Sequence, residues 1–129
     1  MATIAQFPTS RAGSLPSTVE AEAAFLGALL IDNRTLAAAG DLKADHFQAA
    51  IHGRIFERTA ALIGRGGKVT PVTLKPYFES DEGLKELGGV SYLARLTGDG
   101  QGLLNPADLA LLIVESAERR RFQAELTAA

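Results

Sequence analysis

The sequence predicts an all-α fold, on three observations. Apolar residues recur at three- and four-residue spacings, helix start and stop signals bracket those stretches, and only Val69 to Leu74 shows strand-like alternation. With 129 residues, 47% of them hydrophobic and 22% charged, the chain is sized for one hydrophobic core. Residues 1–16, with Pro8, Gly13 and Pro16 and no apolar periodicity, read as a flexible leader. Residues 17–104 are expected to form a compact multi-helix head, and residues 105–129 the first helix of a helical hairpin.

The first helix opens on a capping box, Ser17 with Glu20 three residues later, and Val19, Ala23, Leu26 and Leu30 follow at helical spacing beside Phe25 and Leu29. Asp32 and Asn33 break it, and Thr35–Ala39 forms a short second helix stopped by Gly40. A longer helix is expected from about Gln48 to Ile63, with Ile51, Ile55, Phe56, Leu62 and Ile63 on one face and Gly64, Gly66 and Gly67 ending it. Leu26 and Phe56 should lie in the core. Pro71 and Pro76 make Val69 to Leu74 a short helix rather than a strand, capped by Thr70 or Thr73. Leu84, Leu87 and Gly88–Gly89 turn the chain into a segment from Val90 to Leu96, and Gly98 to Gly102 should not hold regular structure. Asn105 caps a last helix, with Pro106 in its first position and Asp108 in its first turn, running to about Leu126.

Composition excludes several classes of function. A net charge of −2 has the wrong sign for a dedicated nucleic-acid binder, so a helical DNA-binding regulator is disfavoured. No cysteine means no disulfide and no thiolate-ligated metal, which suits a reducing cytoplasm. The longest apolar run, Leu109 to Val114, is six residues, against the roughly 20 that span a bilayer.

The segments that invite a catalytic reading fail on spacing. Gly64-Arg65-Gly66-Gly67-Lys68 resembles part of a phosphate loop, but Leu62 and Val69 stand where a glycine and a magnesium-holding hydroxyl are required. His46 and His52, six apart, lie on different helix faces with no carboxylate at a ligand interval, so His52 reads as a buried or half-buried histidine making one hydrogen bond. Glu20 and Glu22 diverge on their helix and cannot act as a carboxylate pair. No catalytic, cofactor-binding or metal residue is therefore assigned. Arg119, Arg120 and Arg121, offset by Glu115, Glu118 and Glu125, read as a solvated face. The run Leu109 to Val114 wraps almost two helical turns, so one core cannot cover it all. The uncovered side is assigned to Leu111, Val114, Glu118 and Phe122, a partner or self-association surface.

Several motifs together resemble the N-terminal domain of bacterial replicative DNA helicases of the DnaB type. They are Pro16 with Glu20-Ala21-Glu22 and Leu26 through Asn33; Phe47, His52, Ile55 and Phe56; Leu74; Gly88-Gly89 with Tyr92-Leu93 and Leu96; and Asn105, Ala110, Glu115, Ala117 and Arg119 to Arg121. The resemblance covers about residues 15 to 125 and departs at Gln48, usually Tyr, at the glycine loop, and at Leu111, Val114 and Ser116, commonly basic. It implies a non-catalytic scaffold whose copies pair into dimers, three dimers forming a collar on the hexameric ring that receives primase and a helicase loader. The returning hairpin helix, linker and ATP-driven motor of that family lie outside this sequence. An alternative within the same resemblance is a free-standing adaptor that binds or regulates a helicase.

Overall fold

In the computed structural model, which describes residues 17–100 and 104–128, the capping box forms as expected. The Ser17 hydroxyl accepts from the Glu20 amide at 3.1 Å, and the Glu20 carboxylate accepts from the Ser17 amide at 2.8 Å. Helix α1, Thr18–Ile31, then buries Ala21, Glu22, Ala23, Phe25, Leu26, Gly27, Leu29 and Leu30, residues on almost every side of it. Helices α2, α5 and α6 (ranges below) surround it, so a strongly apolar helix lies at the centre rather than at a surface. Val19, expected on the core face, is instead 41% exposed: it shares the outer side of the first turn with exposed Glu20, while Thr18 meets Ser116 of α6.

Asn33–Ala39 forms a 3₁₀ segment, starting earlier than expected and ending at Gly40, whose φ of 59° favours glycine. The Asn33 amide nitrogen donates to the carbonyls of Leu29 and Val69 at 2.9 and 2.8 Å, and its oxygen accepts from the Val69 amide at 2.7 Å. One side chain thus ties the end of α1 to the loop after α2. A second 3₁₀ turn, Ala44–His46, leads to α2, Ala50–Gly64. Gly66, at φ 86°, and Gly67 close α2 by donating to the carbonyls of Ile63 and Leu62 at 2.9 and 3.0 Å.

Val69 to Leu74 is not a strand. Helix α3, Pro71–Phe78, is capped by Thr70, whose hydroxyl accepts from the Thr73 amide at 3.3 Å. The expected turn around Leu84 contains one α-helical turn, α4, Glu82–Lys85, capped by Asp81. Gly88 and Gly89, at φ 109° and 77°, then redirect the chain into α5, Ser91–Asp99. This helix runs through Gly98, which was expected to lie in an irregular loop; the burial of α5 along α1 offsets the conformational cost of glycine. Gly100 caps α5, while Gln101 and Gly102 of that glycine loop, like the leader 1–16, lie outside the described residues.

Helix α6, Pro106–Ala128, starts on Asn105, whose side-chain oxygen accepts from the Ala107 amide at 2.8 Å. Its 23 residues span about 34 Å. The core includes Leu26 and Phe56, as expected, and Phe56 packs at a tilt against both Phe25 and Phe47, with centroids 6.2 and 5.3 Å away. Among the described residues there is no strand, and no helix is long and apolar enough to cross a membrane.

Candidate interaction surface and its buried support

Helix α6 has two unlike sides. Leu109, Ala110, Ile113 and Ser116 are buried against α1 and the 3₁₀ segments, and the Thr18 hydroxyl donates to that of Ser116 at 3.1 Å. On the opposite side Leu111 is 56% exposed, Phe122 60% and Leu126 61%, with Glu115, Glu118 and Arg119 exposed between them. Leu111, Glu118 and Phe122 of the expected surface therefore share one stripe. Val114 does not fully join them: it is half-buried and packs against the core, because its position turns it toward the head. Leu126 extends the stripe, a residue the sequence reading left out although it stands one turn beyond Phe122.

The arginine cluster is not uniformly solvated. Arg119 and Arg121 are exposed, but half-buried Arg120 reaches under α6 and donates to the carbonyl of His46 at 3.0 Å. It pins the middle of α6 to the 3₁₀ turn before α2, a tertiary contact between residues 74 apart.

Beneath this surface lies a polar cluster that spacing could not reveal. The Glu22 carboxylate is fully buried and accepts from the amides of Gln48 and Ala49, the latter at 3.2 Å. It also accepts from Nδ1 of His52 at 2.9 Å. Residue Ala49 offers α2 no side-chain cap, so Glu22 supplies one from α1, and α2 begins after Gln48 rather than on it. His52 makes two hydrogen bonds instead of the expected one, the second between Nε2 and the Tyr92 hydroxyl at 2.6 Å. In the tautomer that carries its proton on Nδ1, facing the carboxylate, Nε2 accepts from Tyr92. Burial, followed by the charge of Asp99, pushes the Tyr92 phenol above its ordinary range, keeping that O–H a donor. The cluster joins α1, α2 and α5, and its donors and acceptors face one another. Its sequence signals are Glu22, an acid set within Ala21, Ala23, Ala24 and Phe25, and His52 beside an apolar stripe; nothing in their spacing joins the two.

Residues 14–115 match the sequence profile described as the DnaB-like helicase N terminal domain. The chain is 34% identical over 109 residues to the replicative DNA helicase DnaB of Rickettsia felis, and 35% identical over 108 residues to that of Geobacillus stearothermophilus. Those alignments cover 84% and 83% of this chain but 22% and 24% of the helicases, so the chain spans less than a quarter of its curated relatives' length. The crystal structure of the N-terminal domain of DnaB helicase from Mycobacterium tuberculosis superimposes with a TM-score of 0.75 at 25% identity, over 84% of this chain and 79% of that one. A DnaB-like replicative helicase, described together with its interactions with primase, shares the fold at a TM-score of 0.67 and 22% identity, over 84% of this chain and 26% of that one. Glu22, His52 and Tyr92, which hold three helices together, all fall within the matched residues 14–115, and the chain belongs to the DnaB-like helicase N-terminal domain family.

Proposed function

We propose that this chain is a non-catalytic scaffold of a replicative DNA helicase, which assembles into the collar of the hexamer and helps to receive primase and a helicase loader. The observation that carries this reading is the two-sided α6: one side is packed into the head, while the other presents Leu111, Phe122 and Leu126 to the outside. Apolar surface repeated along one helix is suited to assembly with another protein surface. Family membership supports the link to replication, and a fold relative described with its interactions with primase supports that partner class. The chain's own residues assemble no phosphate cradle: Leu62 and Val69 replace the glycine and hydroxyl such a loop requires.

The test is binding of the purified chain to primase and to helicase loader from the same cell, measured by sedimentation, alongside an ATP hydrolysis assay. Saturable binding to either partner with no ATP turnover is the expected result. Absence of binding to both, or ATP turnover that copurifies with the chain through successive columns, overturns the scaffold reading.

A further inference from the structure

We infer that the exposed face of α2 docks an acidic helix of a different protein, one whose carboxylates stand seven residues apart with an apolar side chain between them. This goes beyond the α6 reading above, since no residue of α6 lines the site.

At 100° per residue, Arg54, Arg58 and Ala61 of α2 and the capping residue Arg65 fall within an arc of about 60°. All four are exposed, while Phe56 and Thr59 on the opposite side of the helix are buried. Beside this stripe runs a groove of about 360 Å³, walled on its far side by Tyr77 and Phe78 of α3 and by Asp81. The arginines differ in what already holds them. Asp81 accepts from Nε and Nη2 of Arg54 at 2.9 and 2.8 Å, so that guanidinium is matched within the chain. Neither Arg58 nor Arg65 has an ion-pair partner among the described residues. Arg58 lies over the Tyr77 ring, 4.6 Å from its centroid. A guanidinium stacked through its face keeps its N–H groups, which lie in its plane, for an acceptor.

These features set the chemistry of the occupant. Arg58 and Arg65 stand about 10 Å apart along α2, the rise of seven residues, so a helix laid along the stripe meets both with carboxylates at i and i+7. Ala61 lies between the two arginines and leaves the space between their side chains open. An apolar side chain at i+3 or i+4 of the occupant fills that space against Ala61 and the exposed Tyr77 ring.

A nucleic-acid strand fits less well. Its phosphates repeat at every nucleotide, and Glu57 and Asp81, which line the same groove, repel them. An acidic helix carries charge only where its sequence puts it, so neutral residues can face those two acids while its carboxylates meet Arg58 and Arg65. Exposed ion pairs are individually weak, so binding through two of them should be fast and sensitive to salt.

The test uses the full 129-residue chain, isotopically labelled, with its amide spectrum followed as a synthetic helical peptide is added. The peptide carries Glu at i and i+7 and Leu at i+4. Saturable shifts centred on Arg58, Ala61, Arg65 and Tyr77 are the expected result. Arg58→Glu and Arg65→Glu should each weaken binding at least about threefold, and raising salt from about 0.05 to 0.5 M should weaken it in the parent. A peptide with Lys in place of both Glu residues should bind the Arg58→Glu/Arg65→Glu double variant to within about threefold of the parent pair, whichever way the helix lies. Ala61→Gln closes the gap without changing charge, and should reduce binding of the Leu peptide to that of its Ala counterpart. Circular dichroism verifies that each variant folds.

Absence of saturable shifts at millimolar peptide overturns the proposal, as do charge reversals without effect or a Lys peptide that fails to rescue. A single-stranded oligothymidylate that moves the same amides at lower concentration than the peptide assigns the stripe to nucleic acid instead. Self-association of the parent chain that Arg58→Glu abolishes assigns it to a second copy. Either result overturns the proposal. None of these measurements involves primase or a loader, so the scaffold reading stands or falls separately.

Discussion

Glu22 carries an unusual load for one side chain: fully buried, it accepts from two backbone amides at the start of α2 and from the ring of His52. Removing the carboxylate takes the acceptor from three donors, the fully buried His52 ring among them, so Glu22→Ala should lower the free energy of unfolding by about 3–5 kcal/mol. Glu22→Gln should cost less, since it keeps one acceptor oxygen but turns an N–H₂ toward donors. Urea unfolding gives the magnitude, and faster amide exchange at Gln48 and Ala49 should identify the cause. Among the half-buried carboxylates paired with arginine, sequence distance decides which one matters to pH. Asp81 accepts both arms of the Arg54 guanidinium at 2.9 and 2.8 Å, and that pairing holds its carboxyl below the usual range, with the Leu84 amide adding to it. A carboxyl depressed in the folded chain stabilises above its unfolded value of about 3.9, and the contribution is lost as pH falls through the folded value. Asp81→Asn should therefore lower stability at neutral pH and flatten the loss below about pH 4 in a melting series. Asp32 is held lower still, at about 2, by Arg34 just two residues away, a pair that an unfolded chain can also form. Asp32→Asn should leave the acid slope nearly unchanged.

Between elements, the tightest approach is that of α1 and α5. A Cβ on Gly27 would sit 1.8 Å from the carbonyl oxygen of Leu96, and one on Gly100 would sit 2.3 Å from the Ala28 amide. The helices touch backbone to backbone, which is why Gly27 interrupts the otherwise apolar run Ala23–Ile31. Gly27→Ala should separate them and cost at least about 3 kcal/mol. Gly98, within α5, faces open space instead, and Gly98→Ala should stabilise by about 0.4–1 kcal/mol by restricting the unfolded chain. Two glycine-to-alanine changes on contacting helices are thus expected to shift the thermal midpoint in opposite directions; a shift of the same sign in both would mean that the crossing is not glycine-dependent. The long α6 follows a different logic, its inner side held by Ile113 in the core and by Arg120 on the His46 carbonyl, its outer side exposed at Leu111, Phe122 and Leu126.

Across the whole molecule, local rules and tertiary packing divided the work in a recognisable way. Ser17 with Glu20, Thr70 before Pro71, and Asn105 before Pro106 specify helix starts through contacts made within three residues, and a sequence displays such contacts in full. The apolar spacing likewise determined that the fold is helical and that Leu26 and Phe56 are inside. Its expectation that the run Leu109 to Val114 cannot all face one core holds at Leu111, which is exposed, while Val114 is half-buried. Only the tertiary structure decided the rest. Glu22 caps α2 from 26 residues away, His52 finds a second partner in Tyr92, α5 continues through Gly98 because α1 lies against it, and Val114 turns toward the head. Each depends on which surfaces come into contact. A hydrogen bond or a close backbone approach between distant residues leaves no periodicity along the chain, since its energy depends on separation in space rather than on spacing in sequence.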